Sequence, residues 1–251
     1  MLMQSASVVP HGFPMPRLLV SVRNATEAQI AVDEGVQLVD VKEPRSGSLG
    51  AAPAESIRQV ADICCGQTIL LSVALGELLE TPQVYLPENV LPAFVKCGLS
   101  GCGQRPHWSD LWQKRMERHA ELAVAVVYAD WKTANAPSST AVVKHAVEVG
   151  CRTVLLDTFD KSKGSLLQHM TLEEIYRWIA TVRKRGMKAV VAGSLTQSLI
   201  VPLLAGGADC VALRGAACRG SRSGSLDRDK LRQLVQEADS VHVSGTDSVT
   251  V

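Results

Sequence analysis

Residues 37–42 read Gln-Leu-Val-Asp-Val-Lys, an apolar run that carries one carboxylate and ends in a lysine. A short run this apolar predicts a buried strand, and lysine is rarely buried without a partner or a function. The pattern recurs twice. Lys96 closes Ala93-Phe94-Val95, and Lys161 follows four residues after Asp157, which ends Thr153-Val154-Leu155-Leu156. Three lysines at strand ends predict a shared cationic pocket.

The rest of the chain alternates apolar runs with amphipathic stretches. Helices are predicted between most of the strands. Asn24 with Glu27, and Thr171 with Glu174, predict capping boxes at the starts of two of them. The helix signal at 88–92 is weak, because prolines crowd the sequence there. Eight βα units in about 230 residues match a single (β/α)8 TIM barrel. A doubly wound sheet is the competing architecture, but it usually has fewer strands. The predicted strands are residues 18–22, 37–42, 69–74, 94–99, 121–128, 153–158, 188–192 and 210–213.

The barrel is predicted to span residues 17–238, between a disordered N-terminal extension (1–16) and a flexible C-terminal tail (239–251). No signal peptide is recognisable and no apolar stretch is long enough to span a membrane. A net charge of +1 gives no basic field for nucleic acid. The seven cysteines suggest neither a disulfide framework nor a metal site, and they fit a reduced, cytoplasmic protein. We expect no metal, and a homo-oligomer is plausible for a small metabolic barrel.

Active groups of such barrels lie at the C-terminal ends of the strands and in the loops that follow. Asp40 and Lys42 are two residues apart, so both point to the same strand face. They form either a structural ion pair or a catalytic pair. Lys96, Asp157 and Lys161 at equivalent ends favour chemistry, because crowded cations lower one another's pKa. A neutral lysine can form a Schiff base, and carboxylates can then move protons.

A second signal follows strands seven and eight, where many barrels hold a phosphate between backbone N–H groups. The candidate phosphate-binding residues are Gly193, Ser194, Arg214, Gly215 and Ala216. Arg214 either adds charge there or pairs outside the barrel. The polar loop at 42–50 is either a long surface connection or a lid that uses Arg45, Ser46 and Ser48.

Several motifs together resemble the (5-formylfuran-3-yl)methyl phosphate synthase family, over Leu18 to about Val235. The strongest single piece is Asp-Val-Lys-Glu-Pro at 40–44, followed by Gly-Ser-Leu-Gly-Ala at 47–51. The other matching stretches are Val-Lys-Cys-Gly-Leu (95–99), Tyr-Ala-Asp (128–130), Leu-Asp-Thr-Phe-Asp-Lys (156–161), Ala-Gly-Ser-Leu (192–195) and Arg-Gly-Ala-Ala-Cys (214–218).

The resemblance implies a TIM-barrel lyase that joins two molecules of glyceraldehyde 3-phosphate, at the start of methanofuran biosynthesis, with loss of one phosphate and water. It implies Lys42 as the Schiff-base nucleophile and no metal or organic cofactor. Asp40, Lys96, Asp157 and Lys161 would shuttle protons. A Schiff-base aldolase acting on another phosphorylated aldehyde remains the alternative, as does a barrel that only binds a phosphorylated ligand.

Overall fold

The computed structural model describes residues 15–241 and shows a closed barrel of eight parallel strands. Each strand pairs with the next along the chain, and the last pairs with the first. This confirms the single (β/α)8 barrel over the doubly wound sheet. The strands are β1 (Leu18–Val22), β2 (Leu38–Val41), β3 (Leu70–Glu77), β4 (Phe94–Gly98), β5 (Ala123–Tyr128), β6 (Thr153–Asp157), β7 (Lys188–Val191) and β8 (Cys210–Leu213).

Seven α-helices surround the barrel within residues 15–241. Side-chain caps fix several of their starts, and at α5 Thr171 and Glu174 form the reciprocal capping box that the sequence predicts. At α1 only half of the predicted box forms, because Asn24 caps the helix while the Glu27 carboxylate accepts from Arg23 and Arg214. The helices are α1 (Ala25–Asp33), α2 (Ala54–Cys64), α3 (Trp108–Met116), α4 (Ser139–Glu148), α5 (Leu172–Lys184), α6 (Ile200–Ala205) and α7 (Arg228–Ser240).

The connection between β3 and β4 contains no helix over residues 78–93, so the helix predicted at 88–92 is wrong. Pro87 and Pro92 bracket the segment, remove two backbone donors and disfavour helical geometry in the residues before them. Leu78 and Val90 are buried and cover the barrel here in place of a helix.

Of the predicted terminal segments, residues 1–14 and 242–251 lie outside the described part of the chain. Helix α7 continues through Ser240, two residues past the predicted end of the barrel. No helix in residues 15–241 has both the length and the apolar character needed to cross a membrane.

Alternate side chains of the strands point into the barrel and fill its lower half. Leu19, Leu38, Val124, Leu155 and Val190 form the floor and belong to one apolar cluster. Opposite side chains of the strands pack against the helices in a second, larger cluster. Because the floor is closed by aliphatic side chains, polar groups further along the same strand faces are left to line a cavity that opens at the carboxyl ends.

Candidate active site

A cavity of about 620 Å³ opens at the carboxyl ends of the strands. This volume lies within the ~300–1,000 Å³ typical of small-molecule sites. All five residues predicted from the sequence as catalytic line it together: Asp40, Lys42, Lys96, Asp157 and Lys161.

Asp40 is only 1% exposed and binds Lys96 of β4. Lys96 Nζ donates both to an Asp40 oxygen and to Ser72 Oγ, the latter at 2.7 Å. Ser21 Oγ donates to the other carboxylate oxygen at 3.1 Å. Burial alone would raise the pKa of Asp40, but the charges of Lys96 and Lys42 outweigh it and hold the pKa below its usual value. Asp40 is therefore ionised at neutral pH.

Asp157, at the end of β6, forms the second carboxylate–lysine pair with Lys161. Ser48 Oγ donates to Asp157 at 2.7 Å, and the backbone N–H of Thr158 donates at 2.8 Å. Lys161 Nζ also donates to Thr158 Oγ1 at 3.0 Å. Burial raises the pKa of Asp157, yet the neighbouring cations Lys161 and Lys42 keep it lowered. The pKa of Lys161 is lowered chiefly by burial, against the opposing charge of Asp157.

Lys42 differs from the other two lysines because its one hydrogen bond goes to a carbonyl. Its Nζ donates to Ser48 O at 3.1 Å, and within residues 15–241 it forms no ion pair. Asp40, on the same strand face, is bound to Lys96 instead, so the predicted pairing of Asp40 with Lys42 is replaced by one between Asp40 and Lys96. Lys42 is only 9% exposed. Burial lowers its pKa to about 8, against the raising effects of Asp157 and Asp40.

The loop after β2 is anchored to the site through Ser48, which is completely buried. Ser48 joins the two halves of the site, since its carbonyl accepts from Lys42 and its hydroxyl donates to Asp157. Arg45 and Ser46 are exposed and do not line the cavity. Of the three residues predicted for a lid, Ser48 therefore binds two site residues without lining the cavity, and the other two lie on the surface.

The loops after β2 and β6 repeat one another in sequence and geometry. Residues 40–49 and 157–166 both begin with Asp, carry an acidic residue at the fourth position and end in Gly-Ser-Leu. Each contains a short 3-10 helix whose acidic N-cap accepts from the backbone. Gly47 and Gly164 share nearly the same backbone angles, φ 103° with ψ −165° and φ 102° with ψ −160°. Such positive φ values favour glycine. This repeat relates the loop after β2 to the loop after β6, four βα units along the barrel. It is a sequence signal that points to Asp40 and Asp157 together.

The loops after β7 and β8 present backbone donors to the cavity. Gly193, Ser194, Gly215 and Ala216 all line it. Their N–H groups donate to no backbone carbonyl within residues 15–241. Gly193 has φ +108°, and an added Cβ would lie 3.0 Å from Leu166. This arrangement can bind an oxyanion through neutral donors.

Arg214, the fifth residue predicted to bind phosphate, uses all its donors within the protein. Its five guanidinium N–H groups donate to Glu27, which takes two, and to the carbonyls of Ser21, Arg222 and Gly224. Both side chains of the Arg214–Glu27 ion pair are about 95% buried. The guanidinium therefore ties β8 to β1 and α1, and no N–H remains for a ligand.

Two charged groups are missing from the sequence predictions: one lines the cavity, and the other lies at the end of β3 outside the cavity lining. Arg222, in the loop between β8 and α7, lines the cavity and donates to Gly47 O at 3.1 Å. Glu77, at the end of β3, accepts from Tyr128 Oη at 2.6 Å and from Ser100 N at 2.8 Å. Burial raises the pKa of Glu77. Neither was recognisable in the sequence, since Arg222 lies in a Ser-, Gly- and Arg-rich loop and Glu77 follows the predicted end of its strand.

Tyr128, the last residue of β5, and Asp130, two residues beyond it, position the loop after β6. Asp130 accepts from the backbone N–H groups of Phe159 and Asp160 at 2.7 and 2.9 Å. The Tyr128 ring packs edge-on against Phe159, with ring centroids 5.5 Å apart. These contacts fix the segment between Asp157 and Lys161.

Comparisons with known proteins agree with this geometry. The family model described as 4-HFC-P synthase matches residues 18–235. The (5-formylfuran-3-yl)methyl phosphate synthase of Methanothermobacter thermautotrophicus is 30% identical over 239 residues, 89% of this chain and 99% of that protein. The protein of the same name from Methanococcus maripaludis strain S2 is 32% identical over 231 residues, 87% of this chain and 98% of that protein.

Two solved structures share the fold at low sequence identity. Phosphoribosyl anthranilate isomerase from Thermotoga maritima has a TM-score of 0.60 and 17% identity, covering 90% of this chain and all of its own. Thiamine phosphate pyrophosphorylase from Pyrococcus furiosus has a TM-score of 0.59 and 12% identity, covering 90% and 96%. At these identities the likeness concerns the barrel alone.

Proposed function

The chain belongs to the family of (5-formylfuran-3-yl)methyl phosphate synthases, and on that premise we propose that it condenses two molecules of glyceraldehyde 3-phosphate through a lysine Schiff base. The product is (5-formylfuran-3-yl)methyl phosphate, and one phosphate and two waters are released. The reaction is that of a carbon–oxygen lyase acting on phosphates. It supplies the furan for a methanofuran-type cofactor.

The observation that carries this proposal is the state of Lys42. It is buried at the cavity wall, no carboxylate of residues 15–241 binds it, and its pKa is lowered to about 8. A neutral amine is the form that attacks a carbonyl, and desolvation is a common way to obtain it. Lys96 and Lys161 each donate to a carboxylate, Lys96 to Asp40 and Lys161 to Asp157. The three lysines thus divide into one nucleophile and two acids.

In the proposed sequence, the Lys42 amine adds to the carbonyl of one triose phosphate and water leaves to form an imine. Loss of a proton from the neighbouring carbon gives an enamine, which adds to the aldehyde of the second triose phosphate. Asp157 with Lys161 and Asp40 with Lys96 exchange the protons for isomerisation, phosphate elimination and ring closure. The retained phosphate is bound by the N–H groups of the loops after β7 and β8.

Incubation with glyceraldehyde 3-phosphate as the sole substrate tests this proposal. A furan aldehyde absorbs in the near ultraviolet, whereas a simple aldol adduct does not. We expect the absorbing product from the wild type and none from Lys42→Ala. The matched control is Lys144→Ala, because Lys144 is exposed on α4 and pairs only with Glu148 at 3.8 Å.

Three other outcomes would contradict the proposal in different ways. An aldol adduct without furan would point to the Schiff-base aldolase. Ligand binding without turnover would point to a non-catalytic barrel. Equal furan formation by Lys42→Ala and Lys144→Ala would remove Lys42 from the role of nucleophile.

A further inference from the structure

The proposed reaction, on which this inference rests, brings two phosphates into one cavity and releases only one of them. The loops after β7 and β8 offer neutral backbone donors for one phosphate. We propose that Arg222, together with Lys161, forms a separate cationic subsite for the phosphate that is eliminated.

Arg222 has the contacts expected of an anion-binding arginine. It is half-buried at the cavity wall. Within residues 15–241 its guanidinium donates one hydrogen bond, to Gly47 O, which uses one of five N–H donors. Within residues 15–241 no carboxylate pairs with it. A guanidinium that is partly withdrawn from water, with most of its donors free, matches the bidentate geometry of a phosphate. Arg214, by contrast, has all five donors satisfied by protein acceptors.

The charges around Arg222 also fit a phosphate dianion. Arg222 and Lys161 line the same cavity, and Asp157 is the carboxylate that binds Lys161. The positive charge of Arg222 is close enough to Lys161 to lower its pKa, and Asp157 in turn acts on Arg222. The lining of the cavity carries more cations than carboxylates. Arg214 is neutralised by Glu27, which leaves Lys42, Lys96, Lys161, Arg222 and Lys230 against Asp40 and Asp157. A bound phosphate reduces this local excess of positive charge.

The chemistry of elimination gives a reason for two unlike subsites. When the phosphate leaves, a carbon–hydrogen bond and the carbon–oxygen bond of the ester break and a carbon–carbon double bond forms. The proton passes to a cavity carboxylate, and the electron pair of the carbon–oxygen bond leaves on the phosphate oxygen. Fixed cations at that oxygen stabilise the developing charge. The phosphate that stays bonded develops no such charge, so neutral N–H donors suffice to hold it.

The test is calorimetric titration of the full chain with inorganic phosphate alone. We compare the wild type with Arg222→Gln and with Arg222→Lys. The lysine variant keeps the positive charge but loses the planar guanidinium that can donate two parallel hydrogen bonds to a phosphate. The matched control is Arg219→Gln in the same loop, whose side chain is exposed and pairs with Asp227 at 2.9 Å. Melting curves identify any variant that is not folded. In parallel, furan formation from glyceraldehyde 3-phosphate is measured on the same samples.

We expect Arg222→Gln to weaken one phosphate-binding event by about tenfold or more, the effect of losing a charge-assisted pair. Arg222→Lys should fall between it and the wild type, and Arg219→Gln should match the wild type. Equal phosphate binding by Arg222→Gln and Arg219→Gln would overturn the subsite, as would a wild type that binds no phosphate. Phosphate binding that depends on Arg222, in a protein that makes no furan, would instead overturn the proposed function and leave the subsite standing.

Discussion

Imine formation at Lys42 is expected to follow a titration with its midpoint near pH 8. The pKa of Lys42 is lowered from 10.5 to about 8, chiefly by burial. At pH 7 a group with that pKa is neutral in roughly one molecule in ten, whereas an ordinary lysine is neutral in roughly three in ten thousand. At neutral pH the site therefore raises the neutral fraction of the Lys42 amine by about 300-fold over an ordinary lysine. The rate of imine formation should increase in proportion to that fraction.

The assay is borohydride trapping in the presence of glyceraldehyde 3-phosphate at pH values from 6 to 10, followed by peptide mass mapping. The trapping rate at Lys42 should rise about tenfold per pH unit up to pH 8 and then level off. Two variants should move the midpoint in opposite directions. Lys161→Met removes a charge that lowers the pKa of Lys42, so the midpoint should rise. Asp157→Asn removes a charge that raises it, so the midpoint should fall.

Three results would refute this reasoning. A wild-type midpoint above pH 10 would show that burial does not keep the Lys42 amine neutral. A label on Lys96 or Lys161 in place of Lys42 would transfer the imine to another lysine. Midpoints that shift in the same direction in both variants would mean that the electrostatic field of the site does not act on Lys42 as its geometry requires.

The remaining predictions concern stability. Lys42→Met should raise the free energy of unfolding by about 3 kcal/mol at pH 7. The pKa of Lys42 is lower in the folded state than in the unfolded state, so the charged lysine destabilises the fold. This penalty is complete below pH 8 and disappears as the pH rises toward 10.5. Urea titrations at pH 7 and 9 check it, and equal stability of variant and wild type at pH 7 would contradict it. Glu27→Gln should lose about 3–5 kcal/mol in the same assay, because the buried guanidinium of Arg214 keeps its charge without a counterion; a loss under about 1 kcal/mol would show that the pair is not buried. Tyr128→Phe should lose about 1–3 kcal/mol, since the partly buried Glu77 loses one of its two hydrogen-bond donors. A variant as stable as the wild type would mean that this hydrogen bond is not formed.

The barrel could be predicted because its signals are local. Each strand is a short apolar run, and most helices start at a capping residue such as Ser138, Thr171 or Asp227. The helix that was predicted wrongly falls where Pro87 and Pro92 enclose only four residues, so the local helix signal was weak. The half-formed capping box at Asn24 failed for a different reason. Glu27 has a buried arginine from the far end of the chain as its partner, and no local pattern reports that.

The residues that line the site could be predicted from the sequence, but which lysine binds which carboxylate could not. Alternation along β2 places Asp40 and Lys42 on one face, as expected. Which lysine each carboxylate binds depends on strand register and side-chain reach. Asp40 lies level with Ser72 of β3, and Lys96 lies level with Ala74, one pleat further toward the carboxyl ends. The long stem of Lys96 reaches back to Asp40, a contact between residues 56 positions apart.

The repeat between the loops after β2 and β6 explains why Lys42 is the lysine left without a carboxylate. In the first loop, Lys42 and Pro44 lie two and four residues after Asp40. In the second, Phe159 and Lys161 lie two and four residues after Asp157. A lysine at the fourth position follows a turn and returns to its own aspartate, as Lys161 does. A lysine two residues after its aspartate, as Lys42 is, extends past that aspartate. The Asp40 carboxylate instead binds Lys96 of β4. A shift of two positions within one loop pattern thus separates a lysine that binds its own aspartate from one that binds no carboxylate within residues 15–241.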